Sequence, residues 1–156
     1  MDNALAPLRV FVVEDSPIIL ELLVRAVHAG GAQLVGHSDN AKDAAAALLA
    51  VQPDLVIIDI KLKAGNGFDV LQALQATGHT HSAIKMVFTN YASPEYRDLG
   101  LQLGANAFFD KALEGSQALD FVYRLAARRR NRGNHSPGLE RRRTNRPLGP
   151  RMGNRD

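Results

Sequence analysis

The stretch LVIIDIKLKAGNG, residues 55–67, decides the fold. Its first four residues are apolar and three of them are β-branched, which predicts a short strand buried on both faces, as in a parallel sheet. Asp59 follows where that strand ends. An aspartate at this place could be a turn former, a helix cap, a metal ligand or a nucleophile, and the surrounding sequence has to distinguish these roles.

Strand patterns and helix patterns alternate along the chain. Ser16-Pro17 and Ser93-Pro94 each combine an N-cap residue with a proline at the first helical position. Such alternation predicts an α/β fold with a doubly wound, five-stranded parallel sheet and helices on both faces. We expect the flavodoxin-like strand order 2-1-3-4-5. The predicted strands cover residues 8–13, 33–38, 54–58, 83–88 and 105–109.

Composition is that of a globular domain. The chain has 156 residues, of which 46% are hydrophobic, and it contains no cysteine, which excludes disulfides and thiolate chemistry. No apolar run reaches the roughly 18 residues needed to cross a bilayer, and the opening MDNALAPLR lacks the pattern of a secretory signal. We therefore expect a cytoplasmic protein without a membrane partner.

Charge divides the chain into two parts. Residues 1–127 carry nine Lys/Arg and fourteen Asp/Glu, whereas residues 128–156 carry ten arginines and two acids. The second part is also poor in apolar residues, so it cannot bury enough surface to offset its ordering entropy. We expect a folded domain over 1–127 and a basic, disordered tail over 128–156. The tail either keeps the protein soluble or contacts nucleic-acid phosphates.

Chemically versatile residues follow four of the five predicted strands. Because the carboxyl ends of parallel strands lie at one edge of the sheet, where ligands gather, we expect these side chains to converge. Together they would supply three carboxylates, a hydroxyl and an ammonium group. They are Glu14, Asp15, Asp59, Thr89 and Lys111.

This set of groups is suited to phosphoryl transfer. Clustered carboxylates raise one another's pKa unless a cation is present, and oxygen ligands suit Mg²⁺, which binds through one or two carboxylates plus substrate phosphate. With the ion bound, an aspartate can act as the nucleophile toward phosphorus. A lysine and a hydroxyl then stabilise the phosphoryl oxygens. Asp59, which is central if the first and third strands are neighbours, is the candidate nucleophile.

The chain resembles a bacterial response-regulator receiver domain over about residues 8–127. The resemblance is carried by several short motifs in order rather than by one strong motif. They are VVEDSP at 12–17, Asp59 after an apolar strand, Gly67, Thr89, and Gly104-Ala105 ahead of Lys111.

The resemblance assigns a role to each candidate residue. Asp59 would be the phosphoacceptor, with Thr89 and Lys111 contacting its phosphoryl group. Phe108, three residues before Lys111, would be the aromatic side chain that changes rotamer. The ligands of Mg²⁺ would be Glu14, Asp15, Asp59 and the backbone carbonyl of Lys61.

The resemblance also implies partners. A sensor histidine kinase or a histidine phosphotransfer protein would donate the phosphoryl group, and a downstream protein would bind the remodelled surface of the fourth helix, fifth strand and fifth helix. We expect a stand-alone receiver, similar to the chemotaxis regulators, that assists its own phosphorylation and dephosphorylation but is not otherwise an enzyme.

Two alternatives remain open from the sequence. Lys63 stands where the family commonly has proline, Asn90 replaces a small residue, and Ala112 replaces the proline that usually follows the lysine, so that the peptide bond before Ala112 should be trans. These departures motivate the first alternative, a receiver-fold module that binds partners without phosphorylation. The arginine-rich tail motivates the second, a protein associated with nucleic acid through that tail.

Overall fold

The computed structural model describes residues 6–78 and 82–134, and within them five strands alternate with five helices. The strands are β1 (Arg9–Val13), β2 (Gln33–Ser38), β3 (Leu55–Ile58), β4 (Ile84–Thr89) and β5 (Ala107–Asp110). The helices are α1 (Pro17–Ala29), α2 (Ala41–Val51), α3 (Gly67–Ala76), α4 (Pro94–Gln102) and α5 (Gly115–Asn134).

All five strands are parallel and lie in the order β2-β1-β3-β4-β5, which confirms the predicted topology. Val13, the last residue of β1, is in register with Ile58, the last residue of β3. The backbone N–H of Asp59 donates to the carbonyl of Val13 at 2.9 Å. The residues that follow these two strands, Glu14 and Asp59, therefore leave the sheet side by side.

The central strand β3 supplies both faces of the core. Val56 and Ile58 belong to a cluster with buried residues of α2 and α3, whereas Leu55 and Ile57 pack with buried residues of α1 and α5. All four side chains are almost fully buried, and each contributes about 1.5–3 kcal/mol of hydrophobic stabilisation. The uninterrupted apolar run in the sequence is thus explained by helices that cover both faces.

The helices α1 and α4 begin at the serine-proline pairs that the sequence predicts, and α2 begins with a similar cap. The side chains of Ser16, Asn40 and Ser93 accept hydrogen bonds from backbone N–H groups in the first turns of α1, α2 and α4. The start of α3 was not recognised from the sequence. There Asn66 and Asp69 form a reciprocal capping box, with both hydrogen bonds at 3.0 Å.

On α1 the buried positions are Leu23, Ala26 and Val27, whereas Leu22 is 57% exposed. The fifth strand begins at Ala107 rather than at residue 105. The backbone N–H of Ala105 is used to close the end of α4, since it donates to the carbonyl of Gly100.

The helix α5 continues to Asn134, seven residues beyond the boundary expected at residue 127. Two of the arginines in these last turns have partners elsewhere in the fold. Arg129 pairs with Asp54 at 3.4 Å, and Arg130 donates to the carbonyl of Gly30. The rest of the predicted tail, residues 135–156, lies outside the described residues. Within the described ranges, no helix is long and apolar enough to cross a membrane.

Gly67 is packed against the residue that follows β3. A Cβ atom built on Gly67 would overlap the carbonyl oxygen of Asp59 and lie 2.9 Å from Cγ2 of Ile58. The N–H of Gly67 also donates to the carbonyl of Ile60 at 2.7 Å. The first residue of α3 therefore has to be glycine if the loop after Asp59 is to keep this path.

We expect Gly67→Ala to lower the free energy of unfolding by about 3 kcal/mol, because the added methyl group meets backbone rather than a flexible side chain. Gly115→Ala is the matched control, since a Cβ atom there has no atom within 4 Å. Urea unfolding monitored by circular dichroism measures both. A loss in Gly67→Ala no greater than in Gly115→Ala would contradict the packing argument.

Candidate functional site

The three predicted carboxylates meet at the carboxyl edge of the sheet. Glu14, Asp15 and Asp59 each contribute an oxygen atom to a group whose members all lie within 4.8 Å of one another. Glu14 and Asp59 are buried, whereas Asp15 is exposed. The convergence inferred from parallel strands is therefore confirmed, and the cluster opens to solvent on the side of Asp15.

Lys111 completes the cluster from the loop after β5. Its ammonium group donates to Oε2 of Glu14 at 2.7 Å and to Oδ2 of Asp59 at 2.8 Å, and its side chain is only 8% exposed. The backbone N–H of Lys111 donates to the carbonyl of Thr89 at 2.9 Å, which fixes where the side chain begins. One buried cation thus bridges two buried anions.

The charges in this cluster are not balanced. Burial raises the pKa of Glu14 above its ordinary value, and the charge of Asp59 raises it further, while the hydrogen bond from Lys111 opposes both. Burial disfavours the ammonium form of Lys111, but the hydrogen bonds to Asp59 and Glu14 outweigh burial and raise the pKa of Lys111. Three carboxylates share one ammonium group, so the site attracts further positive charge.

A divalent cation fits the residues present. Oδ1 of Asp59 is buried and has no hydrogen-bond partner in the described part of the chain. The donors are carboxylate oxygens, which suit a hard ion such as Mg²⁺. Glu14, Asp15 and Asp59 would hold the ion. Lys61 lies two residues after Asp59, and the role of its backbone carbonyl as a ligand stays a prediction.

Thr89 is fully buried at the end of β4, at the same edge of the sheet. Its Oγ1 accepts a hydrogen bond from the N–H of Tyr91 at 3.2 Å. No described residue accepts a hydrogen bond from this hydroxyl, so it can donate one to an incoming oxygen atom. Thr89 is in register with Asp110, the residue before Lys111, so the two predicted phosphoryl contacts approach the site from neighbouring strands.

Phe108 is buried in this structure. Its ring packs against Gly100 of α4, where a Cβ atom would lie 2.9 Å from the ring. The next residue, Phe109, belongs to the core on the opposite face of the sheet and contacts Phe121 at a ring separation of 5.7 Å. The two rings therefore point to opposite sides of the sheet. The switching role of Phe108 stays a prediction.

A contact network around Arg97 was missed by the sequence reading. The guanidinium of Arg97 lies 5.4 Å from the centroid of the Phe108 ring and donates to the carbonyl of Phe108 at 3.2 Å. It also donates to the carbonyl of Ala92 at 3.3 Å and pairs with the carboxylate of Glu114. Arg97 therefore connects α4 to β5 and to the residue that precedes α5.

The departures from the family pattern leave the cluster intact. Lys63 is exposed and lies 3.9 Å from the carboxylate of Asp39, and Asn90 is also exposed. Among the described residues no peptide bond is cis, so the bond between Lys111 and Ala112 is trans, as expected. The ammonium group of Lys61 lies 5.7 Å from the centroid of the Tyr91 ring.

Comparison with known proteins identifies the family. The response regulator receiver domain matches residues 10–122, so the chain belongs to the response regulator receivers of two-component signalling. The gliding motility regulatory protein of Myxococcus xanthus is 32% identical over 116 residues, which are 72% of this chain and 14% of that protein. This assignment confirms the resemblance stated from the sequence.

Further relatives agree with it. A protein-glutamate methylesterase/protein-glutamine glutaminase of Moorella thermoacetica is 30% identical over 120 residues, 76% of this chain and 28% of that protein. The chain thus spans less than a third of both relatives. The structure of the chemotaxis protein CheY4 of Vibrio cholerae has a TM-score of 0.67 at 21% identity, and the match covers 76% of this chain and 98% of that one. At that identity the likeness concerns the fold alone.

We expect Asp59→Asn to raise the free energy of unfolding by about 1 kcal/mol in metal-free buffer, because the amide oxygen still accepts from Lys111 while one buried, crowded charge is removed. Asp54→Asn, at the opposite edge of the sheet, should lower the free energy of unfolding, since Asp54 pairs with Arg129 and lies outside the acidic cluster. Thermal unfolding with and without Mg²⁺ measures both variants. A destabilised Asp59→Asn protein would contradict the charge argument.

We expect Arg97→Met to lose about 1–3 kcal/mol of stability at neutral pH, because its hydrogen bonds to Glu114 and to two carbonyls are removed. Hydrogen bonds from Arg97 and from the backbone of Asp110 lower the pKa of Glu114. A lowered carboxyl pKa stabilises the fold above the ordinary value near 4.5 and ceases to do so as pH falls through the lowered value.

The difference in the free energy of unfolding between wild type and Arg97→Met should therefore become smaller at acidic pH. Urea unfolding at pH 7 and below pH 4.5 tests this. Arg25→Met is the control, because Arg25 forms an exposed ion pair with Glu21 within α1, and such pairs contribute between about 0 and 1 kcal/mol. Equal effects of the two substitutions would show that the Arg97 network is not a structural constraint.

Proposed function

We propose that this chain is a phosphorylation-dependent receiver whose phosphoacceptor is Asp59. The observation that supports this most strongly is the state of the Asp59 carboxylate. One oxygen accepts a hydrogen bond from Lys111, while the other is buried in a cluster of three acids and has no partner among the described residues. A buried carboxylate with this surplus of negative charge is arranged to receive a cation and a phosphoryl group rather than to stabilise the fold.

The proposed reaction is transfer from a phosphohistidine. An oxygen of Asp59 forms a bond to phosphorus, the bond between phosphorus and the imidazole nitrogen breaks, and the imidazole keeps that electron pair. The product is an acyl phosphate on Asp59 and a free histidine on the donor. Bound Mg²⁺ would neutralise charge on the phosphoryl oxygens. Lys111 holds the carboxylate in place, and the hydroxyl of Thr89 donates a hydrogen bond to a phosphoryl oxygen.

The contacts of Phe108 suggest which surface would change for a downstream protein. Movement of Thr89 toward the phosphoryl group opens space near the end of β4, and Phe108 turns into that space. Because Arg97 contacts both the ring and the carbonyl of Phe108 and also pairs with Glu114, the turn changes contacts between α4 and the start of α5. A local charge event is thereby converted into a change of surface shape.

The partners belong to the same proposal. A sensor histidine kinase or a histidine phosphotransfer protein donates the phosphoryl group, and a downstream protein binds the surface formed by α4, β5 and α5. The protein acts on no separate substrate and assists its own phosphorylation and dephosphorylation. Its organisation as a stand-alone receiver stays a prediction.

We expect wild-type protein to be labelled by phosphoramidate or acetyl phosphate in the presence of Mg²⁺, and Asp59→Asn to remain unlabelled. Asp98→Asn, an exposed aspartate of α4 outside the acidic cluster, is the control and should be labelled like wild type. Intact-protein mass spectrometry detects one added phosphoryl group, and chelation of Mg²⁺ should abolish it. Wild-type protein that remains unlabelled would favour the alternative of a phosphorylation-independent binding module.

A further inference from the structure

A second concave site lies at the opposite edge of the sheet from the acidic cluster. It is a cleft of about 390 Å³ at the amino ends of β1, β3 and β4, closed on one side by the end of α5. We call it the arginine cleft. It is lined by Leu8, Asp54, Ser82, Ile84, Leu125, Arg128, Arg129 and Arg132.

The lining of the arginine cleft carries more positive than negative charge. Its three guanidinium groups face a single carboxylate, that of Asp54. Both oxygens of Asp54 are already in use, because one accepts from the backbone N–H of Arg9 at 2.9 Å and the other from Arg129 at 3.4 Å. The side chains of Arg128 and Arg132 form no hydrogen bond or ion pair with the described residues. They are exposed and lie one helical turn apart on α5.

The cleft is also held in a fixed shape. Asp54 anchors Arg129 to the sheet, and Arg130 donates to the carbonyl of Gly30, so the end of α5 is tied to two other segments. The Nε atom of Arg129 is buried and has no hydrogen-bond partner in the described ranges. Ser82 adds a hydroxyl donor at the rim. The guanidinium groups of Arg128 and Arg132 and the hydroxyl of Ser82 thus line the cleft.

We propose that the arginine cleft binds the phosphate backbone of a nucleic acid. Arginine presents a planar fork of N–H groups that matches phosphate oxygens, and every cationic residue from 128 to 156 is arginine rather than lysine. The arginines on this side of α5 can contact more than one phosphate group. Arg124, Arg128 and Arg132 follow one another at intervals of four residues and span about 12 Å of helix.

The same residues disfavour a lipid surface as the ligand. A helix that lies on a membrane needs an apolar face, commonly with aromatic residues. From Arg128 to Arg132 the helix has none, and residues 128–156 contain no Phe, Tyr or Trp. Six further arginines lie between residues 141 and 155, outside the described residues, and their charge suits a long polyanion.

The position of the cleft keeps the two sites separate. The acidic cluster follows the carboxyl ends of β1 and β3, whereas the cleft lies beside residues that precede those strands. A polyanion is attracted to the edge that carries the arginine cleft and repelled by the edge that carries the acidic cluster. Binding of nucleic acid therefore leaves Asp59 open to a phosphoryl donor.

The test is binding of the full chain to two labelled probes, a DNA duplex of about 20 base pairs and a single-stranded RNA of similar length, across a salt titration. Arg128→Gln/Arg132→Gln is the informative variant, because neither side chain supports the fold. Arg142→Gln/Arg143→Gln removes the same charge from the region beyond residue 134. Fluorescence anisotropy gives the dissociation constants, and circular dichroism reports that each variant is folded.

We expect the cleft variant to bind about tenfold more weakly than wild type and its salt slope to fall by about 2, one unit for each lost phosphate contact. The Arg142/Arg143 variant should change much less. The probe that wild type binds more tightly identifies the kind of nucleic acid. Equal losses in the two variants would mean that binding follows total charge alone, and this would overturn the proposal. Absence of wild-type binding at about 100 mM salt would also overturn it.

Discussion

The structure depends on the crowding of carboxylates at one edge of the sheet. Val13 and Ile58 are paired, so the buried acids Glu14 and Asp59 emerge next to each other from β1 and β3. Their repulsion is offset by Lys111, the residue that follows the edge strand β5. The cluster therefore requires β3 beside β1, and β4 and β5 beyond β3. The charge balance on which the proposed phosphoryl transfer rests therefore depends on the strand order of the whole sheet.

Most of the fold was readable from the sequence because its signals are local. An apolar run such as Leu55–Ile58 predicts a strand covered on both faces, and serine followed by proline predicts a helix start. The site followed from topology, since parallel strands end at one edge. The capping box of Asn66 and Asp69 was equally local, and its spacing of three residues could have revealed it.

The features that the sequence did not reveal depend on distant partners. Arg97 and Glu114 are 17 residues apart and meet only because α4 and β5 pack together. The last turns of α5 were assigned to a disordered tail because composition counts arginine as a solvated residue. In the fold, Asp54 and the carbonyl of Gly30 supply the missing partners. A tertiary contact with a residue 75 or 100 positions away leaves no local pattern in the sequence.

The two edges of the sheet have opposite charge and share one element, α5. Glu114, which Arg97 holds, precedes the first residue of α5, while the arginine cleft contains its last turns. Between them Ala118, Val122 and Ala126 are buried against the sheet. These packed positions hold the helix along its length, so loss of the Arg97 contact at one end does not displace the arginines at the other. The proposed phosphorylation of Asp59 and the proposed binding of nucleic acid should therefore be additive, because a coupling free energy requires an element with two arrangements that both sites favour differently.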